Sequence, residues 1–101
     1  MLRIRDESGH DCHRILLTGD VDMATAPMLD ERVDTLVRDG KHKLEIDLTQ
    51  VKFIDSKGLA SLVSTHRKLR GEGKSLVLSG VAPSVMRILE VTGLVRYFEF
   101  G

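Results

Sequence analysis

Leu44, Ile46 and Leu48 alternate with Glu45 and Asp47, and a period of two places the apolar set on one face of a strand and the carboxylates on the other. The period changes elsewhere. Between Met28 and Arg38, Leu29, Val33, Leu36 and Val37 fall at i, i+4, i+7 and i+8, with Pro27 in the first turn and Gly40 beyond the end, which predicts a helix with both ends marked. Cys12 to Thr18 is rich in aliphatic residues and closed by Gly19-Asp20, the pattern of a strand. Before it, Leu2 to Arg5 predicts a short edge strand. After a loop over Thr49 to Asp55, Leu59, Leu62, Val63, His66 and Leu69 keep helical spacing until Gly71-Glu72-Gly73, with Ser56 at or next to the helix start. Leu76 to Ser79 predicts a short buried strand. Val85, Ile88, Leu89 and Thr92 mark a third helix between Pro83 and Gly93, and Tyr97 and Phe98 close the chain as a last strand or turn.

Strand, helix, strand, helix, strand implies two right-handed crossovers. The expected fold class is therefore α/β, a mixed and mostly parallel sheet of four to five strands with helices mainly on one face. A length of 101 residues with 42% hydrophobic side chains suits a single domain over residues 1–101 with one modest core. Fifteen basic residues balance fifteen acidic ones, so no overall positive field draws the chain to nucleic acid or an anionic membrane. The longest apolar runs, such as Ile15-Leu16-Leu17, fall far short of the roughly 20 residues a spanning helix needs. The alternating charges of Met1 to Asp6 do not form a secretory signal, and the expected location is cytoplasmic. Cys12 is the single cysteine, which excludes an internal disulfide.

Catalytic patterns are sparse. His10-Asp11-Cys12-His13 gathers metal-binding side chain types, but on a strand His10 and Cys12 share one face while His13 takes the other, and no second ligand pair stands at zinc-like spacing. No metal and no cofactor are expected. Gly71-x-Gly73 follows a helix instead of opening one, the wrong order for a dinucleotide-binding turn. His66 lies on the apolar stripe of its helix, and neither it nor His42 accompanies a nucleophile motif. Asp20, Asp22, Asp47 and Asp55 are the carboxylates that loop ends could gather. Without a paired base or metal pattern they specify no reaction, so the chain reads as a binding protein and not an enzyme.

One stretch carries more information. Asp47 to Leu59 runs from a strand through Val51, Phe53 and Ile54 into Asp55-Ser56-Lys57-Gly58-Leu59, which resembles the Asp-Ser-(Ser or Thr)-Gly-Leu turn of the STAS domain in anti-sigma factor antagonists. Thr18-Gly19-Asp20-Val21-Asp22 followed by Ala24-Thr25-Ala26 is similar to that family's Gly-(Glu or Asp)-x-Asp loop. Ser84 to Leu94 resembles its C-terminal helix ending in Gly-Leu. The resemblance implies a partner-switching cycle. An anti-sigma factor with serine kinase activity would phosphorylate Ser56 and release it, and a serine phosphatase would restore the free hydroxyl. The unphosphorylated antagonist would bind the anti-sigma factor and free a sigma factor. The implied partner-binding residues are Asp20, Asp22, Thr25, Asp55, Ser56, Lys57, Gly58 and Leu59, and the implied assembly state is a monomer or weak dimer.

Two readings of Ser56 remain open, a phosphoacceptor or a helix N-cap. Phosphorylation would add about −1.5 to −2 charges near Asp55, at a helix start whose dipole tolerates an anion. Lys57 departs from the family pattern of Ser or Thr. A cation in the first helical turn opposes the dipole, so Lys57 either meets a phosphate, selects a particular partner, or marks a constitutive binder. The alternative function is a non-switching docking subunit of a lipid-transport or other regulatory complex.

Overall fold

The computed structural model describes residues 1–9, 12–40 and 42–101. Five strands form one sheet in the order β1-β2-β3-β4-β5: β1 Leu2–Ser8, β2 Cys12–Gly19, β3 Lys43–Gln50, β4 Ser75–Ser79 and β5 Glu99–Phe100. β1 runs antiparallel to β2, and the other three pairings are parallel. The helices are α1 Ala26–Arg38, α2 Ser56–Gly71 and α3 Pro83–Val91, followed by a 3-10 turn at Leu94–Arg96. The expected α/β class, the mostly parallel sheet and its antiparallel edge are all present.

Register explains where the core sits. His13, Leu44 and Leu76 lie in one cross-strand row, and Ile15, Ile46 and Leu78 in the next. All six are buried. The five apolar ones join Leu29 and Val33 of α1, Leu62 and Leu69 of α2, and Val85 and Leu89 of α3 in one continuous cluster, so the three helices cover the same sheet face. The opposite face carries a polar network beside Leu16 and Val77. There Arg14 of β2 donates to Glu7 of β1 and to Glu45 and Asp47 of β3, and Ser79 donates to Glu45 at 2.7 Å.

The differences from expectation lie at element ends. β1 runs to Ser8 instead of stopping at Arg5, because backbone pairing with β2 continues to Ser8 opposite His13. Polar side chains hold that extension. Glu7 accepts from Arg14 at 2.8 Å and Asp6 from Arg32 of α1 at 2.7 Å. Tyr97 and Phe98 form a turn and bend between the 3-10 turn and β5, the turn of the two alternatives expected, with Phe98 buried. Of the His10-Asp11-Cys12-His13 cluster, His10 and Asp11 lie outside the described residues, while His13 is buried on the helix-covered face.

Candidate functional site

Two loops meet where the parallel strands β2 and β3 end. In open parallel sheets this carboxyl end is where binding residues collect, because strand ends hold the loops rigidly. Val21 and Ile54 form an isolated parallel bridge. The Val21 N–H donates to the Phe53 carbonyl at 3.1 Å and the Asp55 N–H to the Val21 carbonyl at 3.2 Å. Val21, Val51 and Ile54 are buried, so the apolar residues of both loops pin them to the core.

Asp55 completes the junction. It is the N-cap of α2, in extended conformation. One carboxylate oxygen accepts from the Gly58 N–H at 2.9 Å, and the other accepts from the Met23 N–H at 3.0 Å in the opposite loop. The Gly58 N–H, helped by that of Met23 and opposed by partial desolvation, holds the Asp55 carboxyl below its ordinary range. The cap reading of Ser56 is thereby corrected. Ser56 is the first helical residue, exposed, and its hydroxyl makes no hydrogen bond among the described residues. Asp55 performs the capping that either side chain type could supply.

Asp22 organises the first loop in the same manner. Its carboxylate accepts from the backbone N–H groups of Ala24 and Thr25, both at 3.0 Å, and from the Thr25 hydroxyl at 3.1 Å. Thr25 is buried; its single hydroxyl proton is shared between Asp22 and the nearer Asp20 carbonyl at 2.8 Å, and its oxygen accepts from the Asp22 N–H at 3.0 Å. These carboxylates therefore hold backbone, and Asp47 is separate from them, paired with Arg14 and Thr49 on the open sheet face. Asp20 is exposed, Leu59 half-buried and Lys57 exposed. Gly58 is buried against the first loop. A β-carbon there would stand 2.2 Å from the Val21 carbonyl oxygen and 2.7 Å from Ile54, so only glycine lets α2 approach this closely.

Met23 and Phe53 escaped the sequence-based site. They are 70% and 51% exposed, one in each of the joined loops. Exposed apolar side chains on a loop surface are a common mark of a protein-binding face. A usable signal existed, since both stand inside the two motif segments. His66, by contrast, is a packing residue, buried with its ring edge-on to Tyr97 and Phe98.

A five-stranded mixed sheet with helices on one face, and an exposed serine at the start of the helix after β3, defines a class of small α/β domains. The family model described as the Mlab, STAS domain matches residues 4–98, and the chain belongs to the STAS domain family. It is 30% identical over 93 residues to the anti-sigma-B factor antagonist of Staphylococcus epidermidis, spanning 92% of this chain and 86% of that one. It is 38% identical over 86 residues to the protein of the same name from Listeria monocytogenes, covering 84% and 75%. The crystal structure of an anti-sigma factor antagonist from Mycobacterium paratuberculosis superimposes with a TM-score of 0.89 at 30% identity, over 99% of this chain and 85% of that one.

Proposed function

We propose that this protein is an anti-sigma factor antagonist whose loop face captures an anti-sigma factor with serine kinase activity, freeing a sigma factor until Ser56 is phosphorylated. A serine phosphatase then returns it to the binding state. The observation that carries this reading is the Ser56 hydroxyl, exposed and unengaged at the first residue of α2, while Asp55 beside it takes over the structural task of the cap. A serine relieved of its cap role is available to a kinase without loss of the fold.

The division of labour extends across the site. Asp22, Thr25, Asp55 and Gly58 shape the surface, and Asp20, Ser56 and Lys57 present polar groups beside exposed Met23 and Phe53. Leu59 supports the start of α2 from a half-buried position. A phosphate on Ser56 brings about −1.5 to −2 charges and three acceptor oxygens to a surface matched to a hydroxyl. The result is steric and electrostatic exclusion of the partner, with no need for a conformational change.

The test is intact mass after incubation with ATP and candidate anti-sigma kinases from the same genome. One added phosphate on the wild type and none on Ser56→Ala is expected, together with loss of binding in Ser56→Asp. Equal labelling of Ser56→Ala, or wild-type affinity in Ser56→Asp, would overturn the switch. A second reading, a fixed docking subunit of a lipid-transport or other regulatory complex, has Lys57 in its favour, since the family pattern puts Ser or Thr there. It predicts no phosphate on the wild type and a partner indifferent to Ser56→Asp.

A further inference from the structure

Among the described residues β1 is an open edge, paired with β2 alone. Every second residue of its seven-residue span therefore turns its N–H and carbonyl groups away from the sheet, where they form a template for another strand. Folded proteins commonly blunt such edges with proline, a β-bulge or a very short strand. Leu2–Ser8 has none of these. It contains no proline, and its register with β2 runs from Leu2 opposite Gly19 to Ser8 opposite His13 without a shift. The other edge of the sheet differs, since β5 has only two residues.

Charge is the remaining protection, and its order along β1 decides what it repels. Arg3 and Arg5 precede Asp6 and Glu7, and all four are exposed. An edge of one sign would repel a second copy of itself in any orientation. An edge that is basic at one end and acidic at the other repels a parallel copy and attracts an antiparallel one. Arg3, Arg5 and Glu7 share the open sheet face by the period of two, and neither arginine forms an ion pair among the described residues. Glu7 uses one carboxylate oxygen on Arg14, and its side chain remains 50% exposed. Asp6, on the helix side, is already balanced by Arg32. Both flanks of the strand leave room for incoming side chains: a groove of about 380 Å³ lies between Ile4 and Met28 and Thr35 of α1, and one of about 390 Å³ beside Arg3, Arg5 and Thr18.

We propose that β1 is a self-association edge, along which two copies pair antiparallel about a two-fold axis and join two five-stranded sheets into one. The register centred on Arg5 overlaps the whole strand, with Leu2 opposite Ser8 and Arg3 opposite Glu7, each twice by symmetry. The two Arg5 side chains face each other at the axis, each diagonal to a Glu7 of the other copy, which keeps the association weak. The axis is normal to the sheet. The helices of both copies therefore lie on one side, and the strand ends that carry Ser56 point in opposite directions. Self-association leaves both serine faces free, and the inference is independent of what binds them.

The experiment is sedimentation velocity on the full chain from about 10 μM to about 1 mM. Wild type is compared with an acidic-edge variant, Arg3→Glu with Arg5→Glu, a basic-edge variant, Glu7→Arg, and an equimolar mixture of the two, with thermal melts to confirm folding. Wild type is expected to pass from one copy to two over this range, in keeping with the small contact of one strand pair. Each variant alone should associate about tenfold more weakly or worse, and the mixture should recover wild-type strength or exceed it, because an acidic edge then meets a basic one. A general loss of stability would produce no such recovery. Amide exchange of wild type at the two ends of the range gives a reading without substitution, with protection rising in β1 and in no other strand. A single copy at every concentration, unchanged exchange in β1, or a dimer that both variants retain would each overturn the proposal.

Discussion

Asp55 joins two loops through two backbone N–H groups, one from its own helix and one from Met23 across the site. Its folded carboxyl titrates below its ordinary value of 3.8. The unfolded chain therefore takes up this proton first, so the stabilisation is present above about 3.8 and is lost as pH falls through the folded value. Asp55→Ala is expected to lower the urea midpoint at neutral pH and to flatten the acid limb of a stability–pH profile. An unchanged acid limb would mean that the two N–H bonds contribute nothing. Gly58→Ala tests the close approach of α2 to Val21. With a β-carbon 2.2 Å from the Val21 carbonyl, the helix start must move, at about 1–3 kcal/mol, measured as a lower urea midpoint. The motif residues were legible in the sequence, but their division of labour was not. Asp and Ser are comparably good caps, and the choice between them depends on where α2 begins, which the cross-loop bond to Met23 helps to fix. Met23 itself reads as a lone apolar residue before a helix, and its exposure follows from the fold of a loop that has no periodicity to interpret.

Elements with strong periods, α1, α2, β2, β3 and β4, were legible because each hydrophobic stripe is complete within its own segment. β1 beyond Arg5 was not, since Asp6-Glu7-Ser8 carries no apolar alternation and its pairing is held by β2 and by bridges to Arg14 and Arg32. β5 has only two residues, too few for any pattern. The C-terminal segment docks on α2 through an aromatic contact instead, with His66 centred 4.6 Å from Tyr97 and 5.6 Å from Phe98. Neither nitrogen of His66 has a hydrogen-bond partner among the described residues. Burial, reinforced by Arg70 and opposed by Glu99, lowers its pKa from the ordinary 6.5. The unfolded chain then protonates more readily than the folded one, so stability is complete above about 6.5 and declines as pH falls below it. Urea midpoints measured between about pH 7.5 and pH 5 should fall for the wild type. His66→Phe, which keeps an edge-on ring without a titrating nitrogen, should remove most of that fall. The same slope in both proteins would assign the acid sensitivity to other groups.

For the whole molecule, the consequence of the topology is separation between what is stable and what is read. The core lies between one sheet face and three helices, and the far sheet face is closed by the three ion pairs of Arg14. The serine stands outside both, at the carboxyl end of the sheet, where it makes no bond that the fold requires. A charge added there meets the positive end of α2, a favourable effect of about 0.3–1 kcal/mol, and the neighbouring carboxylate of Asp55, the N-cap of that helix, contributes repulsion that water and salt screen. The two effects act in opposite directions on a fold that neither reaches. The thermal midpoint of Ser56→Asp should therefore lie within about 8 °C of wild type, since an effect below 1 kcal/mol shifts a domain of this size by less than about 4–8 °C. Partner binding should nonetheless be lost. A large drop in midpoint would show that the serine is part of the scaffold after all, and loss of binding in that variant would then report unfolding in place of a switch. Equal midpoints with unequal affinities would locate the effect of phosphate in the interface alone, which is what a reversible signal on a small domain requires.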